Sequence, residues 1–219
     1  MIKKTLPLLA IIIALTACQK APDTTQLSND LMVYTHYDNN CDFSQYSTFY
    51  VPDSLLMLDN RSDEPIYYTK SDPRAANILK AYEDEMKARG YTEVANRADA
   101  DLGLQVSYIK NTNTYIGYNY PWWWYDFYYY WPFAYWDPFY IDWYPYYPYP
   151  VTYSYTVNTL TAEIIDLKNV DSNNKHIPFV WTSYIAGMET SNQINISRAL
   201  AGIYQSFEQS PYINKTSRQ

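Results

Sequence analysis

Glycine is scarce in this chain, five in 219 residues, and cysteine and histidine are scarcer still, with two each. So few glycines leave no loop able to cradle a phosphate, and no Gly-x-Ser-x-Gly elbow occurs. His36 and His176 lie far apart and no Cys-x-x-Cys or His-x-x-x-His exists, so a dedicated metal centre has nothing to build on. Charged residues make up only 18%, with a net of −7 and a pI near 4.7. An acidic chain is repelled by phosphate backbones, which argues against a nucleic-acid partner. No apolar run reaches the ~20 residues that a spanning helix needs. No cofactor and no catalytic residue are expected, and the chain reads as a non-enzyme.

What is present starts with "MIKKTLPLLAIIIALTAC". Lys3 and Lys4 form a basic head, Leu6 to Ala17 an apolar run, and small residues lead to Cys18. Residues 1–17 therefore read as a signal peptide and are set aside from the fold. Leu15–Cys18 is similar to a bacterial lipobox, and the resemblance implies lipid attachment at Cys18, with cleavage before it. Acyl chains at ~0.8 kcal/mol per buried CH₂ hold such a protein on a membrane permanently. Gln19, where an aspartate would retain the protein at the inner membrane, favours the outer one. Residues 18–31 are polar and read as a flexible tether, and 32–219 as one domain. With Cys18 lipidated, Cys41 is left alone and no internal disulfide forms. It is expected as a small buried residue beside a strand, with a reactive thiol as the alternative. Asp23–Thr25 and Asp53–Leu55 resemble a short O-glycosylation acceptor, a weak pattern.

Along the domain, Ser47–Val51 reads as a strand, and residues 52–71 as a long loop that wraps the domain or holds a short extra strand. Asp72 and Pro73 are a cap and a first helical residue. Ala76, Leu79, Tyr82 and Met86 share a helical face with Ile78 beside it, and Gly90 stops the helix. "ADADLGLQVSYI" alternates, with Leu102, Leu104, Val106 and Tyr108 on one side, which predicts a half-buried strand. Asp99 and Asp101 are a possible carboxylate pair, but their placement before a strand favours capping or turning. Residues 151–167 alternate with a phase slip that predicts a bulge near Asn158. A polar turn with Lys168, Asp171 and Lys175 leads to a partner strand centred on Trp181. Ser191 is a candidate cap for a last helix whose face is Ile196, Leu200, Ile203 and Phe207. The expected fold is α+β: a two-layer sandwich with about four mainly antiparallel strands and two helices on one face. A long insertion, 112–151, separates two of the strands.

The strings "CDFSQYSTFYV", "ILKAYEDEMKARGY", "ADADLGLQVSYI" and "LTAEIIDLKNVDSNNKHIPFVWTSYIAG", in that order, resemble the DUF4136 family of bacterial lipoproteins. The matching residues are Asp42, Phe43, Ser44, Tyr46, Thr48 and Phe49; Gly90 and Tyr91; Ala98, Asp99, Asp101 and Leu102; Ile165, Asp166, Leu167, Val180 and Trp181. The resemblance implies an exported protein of unknown molecular function and brings no catalytic residues. Family members often carry Tyr/Trp/Gly-rich sequence where this chain has its insertion; here proline largely stands for glycine.

That insertion is the oddest part of the sequence. Tyr115–Tyr149 is mostly aromatic, holds six of the seven tryptophans and lacks Lys and Arg. Its prolines break any long helix or central strand, and prolines, aspartates and phenols together forbid a membrane span. The plainest expectation is an extended segment packing its rings on each other and on the sheet edge. As a binding surface, Trp122, Trp123, Trp124, Trp131, Trp136 and Trp143, with Asp126, Asp137 and Asp142, offer anchors for an envelope protein. The alternative is a neutral glycan, stacked on the rings with its hydroxyls bonded to the aspartates. A third use is to lie on the lipid surface near the anchor.

Overall fold

Asp72 opens the first helix as its position predicts. Its carboxylate accepts from the Arg74 backbone N–H at 2.8 Å and from the Arg74 guanidinium, and these bonds hold its pKa down to about 2. The computed structural model describes residues 31–59, 66–110, 144–146, 158–170, 173, 176–190 and 193–216. The expected signal peptide, Cys18 and residues 19–30 of the expected tether lie outside the described residues, as does the insertion apart from 144–146.

Helix α1 is Pro73–Ala88. It ends as a glycine-capped helix should, with Gly90 at φ +89° and Tyr91 N–H donating back to Met86 O. Its buried face is Ala75, Ile78, Leu79, Tyr82 and Met86, so Ala75 rather than the expected Ala76 meets the core. Helix α2 is Ile196–Glu208. Its cap is Asn195, whose side chain accepts from Arg198 N–H; Ser191 is not the cap. Two short strands, β10 (Glu189–Thr190) and β11 (Gln193–Ile194), form a hairpin just before it and set the later start. Ile203 and Phe207 are buried as expected, while Ile196 and Leu200 are only partly so.

The remaining strands are β1 (Met32–Tyr37), β2 (Thr48–Tyr50), β3 (Ser54–Asp59), β4 (Ile66–Thr69), β5 (Thr92–Glu93), β6 (Leu102–Lys110), β7 (Tyr144–Tyr146), β8 (Thr159–Asp166) and β9 (His176–Ala186). The sheet is thus larger than four strands, and it is mixed rather than mainly antiparallel. Among the described residues, eight strands form one open sheet whose main path runs β1-β9-β8-β6-β2-β5, and three-residue β7 adds a ninth along β9. The centre, β6-β8-β9-β1, is antiparallel. The far edge is parallel, because α1 carries the chain across the sheet between β2 and β5. Pro52 splits that edge: β2 runs beside the start of β6 and β3 beside its end, so two short strands share one neighbour. β4 folds back antiparallel on β3, filling part of the expected loop.

Register sorts the side chains into two layers. Leu104 faces Ile164, Val106 faces Ala162, and Ile164 faces Trp181, all on the side that α1 and α2 cover. Trp181 is fully buried; it packs on Phe207 and donates its indole N–H to Ser210 Oγ at 2.9 Å. A bulge lies where Ile164 opposes Trp181 but Ile165 opposes Phe179, leaving Val180 as the extra residue. This is several residues beyond the expected position at Asn158, which instead adopts a left-handed φ of 68°. Nor is β6 half-buried: every residue from Leu102 to Ile109 is buried, so the sheet is covered on both sides.

Gly202 lets α2 approach the sheet, since a Cβ there would collide with Ile185 Cγ2. Gly202→Ala improves helix propensity by ~1 kcal/mol, but overpacking a tight contact costs ~1–3 kcal/mol. A net loss of stability is expected, read as a lower Tm than wild type in a thermal melt.

Candidate functional site

The sequence motifs converge on one buried cluster. The 3₁₀ turn Phe43–Gln45 is started by Asp42, which accepts from Ser44 N–H at 3.0 Å, Ser44 Oγ at 2.6 Å and Gln45 Nε2 at 3.2 Å. These bonds hold the exposed Asp42 carboxyl below its usual range. The turn delivers Tyr46 into the core, where its hydroxyl donates to Asp166 Oδ2 at 2.7 Å. Asp166, 5% exposed at the end of β8, also accepts from Lys168 N–H at 3.0 Å, Asn169 N–H at 2.9 Å and Asn169 Nδ2 at 2.9 Å. Four donors satisfy a carboxylate that burial would otherwise penalise.

Asp101 does the same for the next stretch of chain. Its Oδ2 accepts from Ser47 N–H at 2.7 Å and Thr48 N–H at 3.2 Å, and its backbone N–H donates to Thr48 Oγ1 at 2.9 Å. Lys168 closes the ring: its ammonium lies 3.8 Å from Asp101 Oδ1 and donates to Gln45 O at 3.1 Å. Asp99 sits in the turn Arg97–Asp99 and accepts from Asn96 Nδ2. Asp99 and Asp101 are thus turn and strand-start residues rather than a carboxylate pair facing a substrate.

Cys41 lies against this cluster, with its thiol 3.8 Å from the Tyr46 hydroxyl. Burial pushes its pKa up to about 12; the Tyr46 bond opposes the shift, while Asp166, Asp38 and Asp42 add to it. Burial likewise raises the Tyr46 hydroxyl, reinforced by the Asp166 charge. A thiol and a phenol that resist ionisation are poor nucleophiles, so the reactive-thiol alternative for Cys41 loses its chemistry. In the Asp53–Leu55 acceptor pattern, the Ser54 side chain is buried at 4% exposure in β3, out of reach of a transferase in the folded domain. The pattern at Asp23–Thr25 lies outside the described residues.

The expected binding residues Trp122, Trp123, Trp124, Trp131, Trp136, Trp143, Asp126, Asp137 and Asp142, and the expected lipid-attachment residue Cys18, lie outside the described residues. The frame that carries the insertion is described. Ile109 at the end of β6 pairs with Thr159 at the start of β8, so the segment leaves and rejoins adjacent positions of neighbouring strands. Within it, Tyr144–Tyr146 pairs parallel with His176–Pro178. Asp171 and Lys175 of the hairpin turn are outside the described residues, while Lys168 is partly solvated and bridges the cluster. Asn169, whose amide and backbone both serve Asp166, was not singled out in the sequence; its position three residues beyond an aspartate in a turn was the available signal.

The model of a domain of unknown function, DUF4136, matches residues 33–212. The chain belongs to the DUF4136 family. A solved DUF4136 family protein from Bacteroides thetaiotaomicron VPI-5482 is 41% identical with a TM-score of 0.72, over 85% of this chain and 98% of that one. A PelC dodecamer from Paraburkholderia phytofirmans is 14% identical with a TM-score of 0.41, over 87% of this chain and 100% of that one. A PDZ domain protein from Parabacteroides distasonis ATCC 8503 is 15% identical with a TM-score of 0.43, over 86% of this chain and 38% of that one. No curated protein matches. In this DUF4136 chain the motif residues Asp42, Ser44, Tyr46, Thr48, Asp101 and Asp166 all serve the cluster just described, which makes them fold determinants.

Two outcomes follow. Tyr46→Phe removes one donor from a buried carboxylate and is expected to cost about 2 kcal/mol in denaturant unfolding. Cys41 should react with iodoacetamide at pH 8 far more slowly in the native protein than after denaturation, read by mass spectrometry.

Proposed function

We propose that this DUF4136 protein is a lipoprotein held in the outer membrane through Cys18. It acts without catalysis, as an envelope protein that presents its aromatic insertion to a partner. The observation that carries this reading is the way the insertion is mounted. Its ends spring from Ile109 and Thr159, paired neighbours on adjacent strands β6 and β8, so the domain is a platform for the segment between them. Tyrosine and tryptophan are the residues that most often anchor protein contacts, and a segment without Lys or Arg suits a neutral or basic partner surface. The carboxylates and the thiol that sequence motifs bring together are engaged in holding the fold, which supports a non-catalytic role.

The test has two arms. Cys18→Ser should move the protein from the membrane fraction to the soluble fraction of lysed cells; retention on the membrane would remove the anchor. Crosslinking and recovery from intact cells should give an envelope partner with the full chain and lose it when Tyr120–Pro150 is deleted. A partner set unchanged by the deletion would overturn the contact role.

A further inference from the structure

Beyond α2 the chain runs back across the fold as a strap. Pro211 cannot continue the helix, and Ser210–Thr216 is irregular. Hydrogen bonds fix its course. Ser210 Oγ accepts from the Trp181 indole, Ile213 N–H donates to Ser210 O at 3.1 Å, and Lys215 N–H donates to Arg89 O at 3.1 Å, just past the end of α1. Ile213 is fully buried, and Asn214 Oδ1 accepts from Thr216 N–H and Oγ1, both at 2.8 Å. Between these points the strap presents Tyr212, whose hydroxyl donates to Ser210 Oγ at 3.1 Å. Its ring stacks on Tyr37 with centroids 3.6 Å apart and lies 5.8 Å from Phe43. What Tyr212 grips is a weakly seated stretch. No side chain of β1 is buried outright, whereas all eight of β8 are. The loop after β1 is held by single backbone bonds, Asp38 N–H to Val180 O and Cys41 N–H to Asp38 O, both 3.0 Å. Firm anchorage resumes at Tyr46, through Asp166. Local opening free energies follow burial, so β1 and its loop need less to open than β8 does.

We propose that Ser210–Thr216 is a latch on this stretch. With Tyr212 seated, β1 and residues 38–45 stay on the sheet. With it released, they open as one unit and uncover Cys41 and Tyr46, while β6, β8 and both helices stay folded. Tyr37 and Phe43 flank the loop that carries Cys41, so one ring holds both of its ends. The latch is preformed, because the bonds that tie the strap to Trp181 and Arg89 do not involve the Tyr212 ring. Chain continuity gives it a role. The preceding chain joins this unit at Leu31, one residue before β1, so a pull or a binding event there reaches β1 first. The latch then sets whether the disturbance travels on to the loop and its thiol.

Hydrogen exchange and iodoacetamide labelling of Cys41, both on the purified full-length protein, test the latch. In Tyr212→Ala, β1 amides should exchange and Cys41 should alkylate about tenfold faster than in the wild type, with β8 amides unchanged. Tyr212→Phe keeps the ring, and Tyr204→Ala removes an exposed ring from α2; both should match the wild type. Unchanged β1 amides and Cys41 in Tyr212→Ala would overturn the proposal. So would β8 amides that quicken by the same factor, since the strap would then be an ordinary part of the whole fold. If Tyr212→Ala does not fold, Tyr212→Leu, which keeps apolar bulk but loses the stack, is read by the same two criteria.

Discussion

The Asp166 carboxylate is the point on which the DUF4136 architecture hangs. It is buried at the end of a central strand and has four donors drawn from two distant parts of the chain, one from Tyr46 and three from Lys168 and Asn169. A buried charge is tolerated only with such a shell, so the shell dictates geometry. It fixes the turn after β8 and draws in the 3₁₀ turn that Asp42 starts. With Asp101 holding Ser47 and Thr48, it sets where β2 enters beside β6. The parallel edge, the α1 crossover and the seat of Tyr91 against Phe43 O all follow from that placement.

Around this anchor the sheet is built in two chemistries. On one side, α1 and α2 press Leu79, Tyr82, Met86, Ile203 and Phe207 onto Trp181 and its neighbours, an apolar layer with Arg89 over the Phe207 ring at 4.6 Å. On the other side the layer is mixed, with glutamate, glutamine and threonine among leucine, isoleucine and phenylalanine. The bulge at Val180 makes both possible in one strand. Trp181 serves the helix side and Phe179 the other, two large rings two residues apart where regular alternation would put them on the same side.

Much of this was legible in the chain. Asp72-Pro73 and Gly90 marked α1 because capping is local and needs no tertiary knowledge. Leu102 to Tyr108 announced β6 by alternation, and Trp181 its central place in β9. What escaped was set by distant partners. Strands such as Thr48–Tyr50 and Thr92–Glu93 are too short to show a period, and only the α1 crossover makes them parallel. Gln105, opposite Leu104 and Val106 in the alternation, was expected to face outward in a half-buried strand, yet it is 1% exposed, and alternation alone does not tell a one-sided sheet from one buried on both sides. In the cluster, Asp42, Tyr46, Asp101 and Asp166 stood out as motif residues, but their meeting across 120 residues of sequence between Tyr46 and Asp166 was not predictable from spacing.

Pro52 has a consequence for how the sheet behaves as an edge. A continuous strand from Thr48 to Asp59 would present one long straight border of unpaired amides. The break divides that border into two segments, one paired with two-residue β5 and the other with four-residue β4, so the strands left outermost on this edge are too short to template a neighbour. The same proline that costs a ladder bond therefore works as a guard against sheet-to-sheet growth, a useful property in a protein with so many tyrosines.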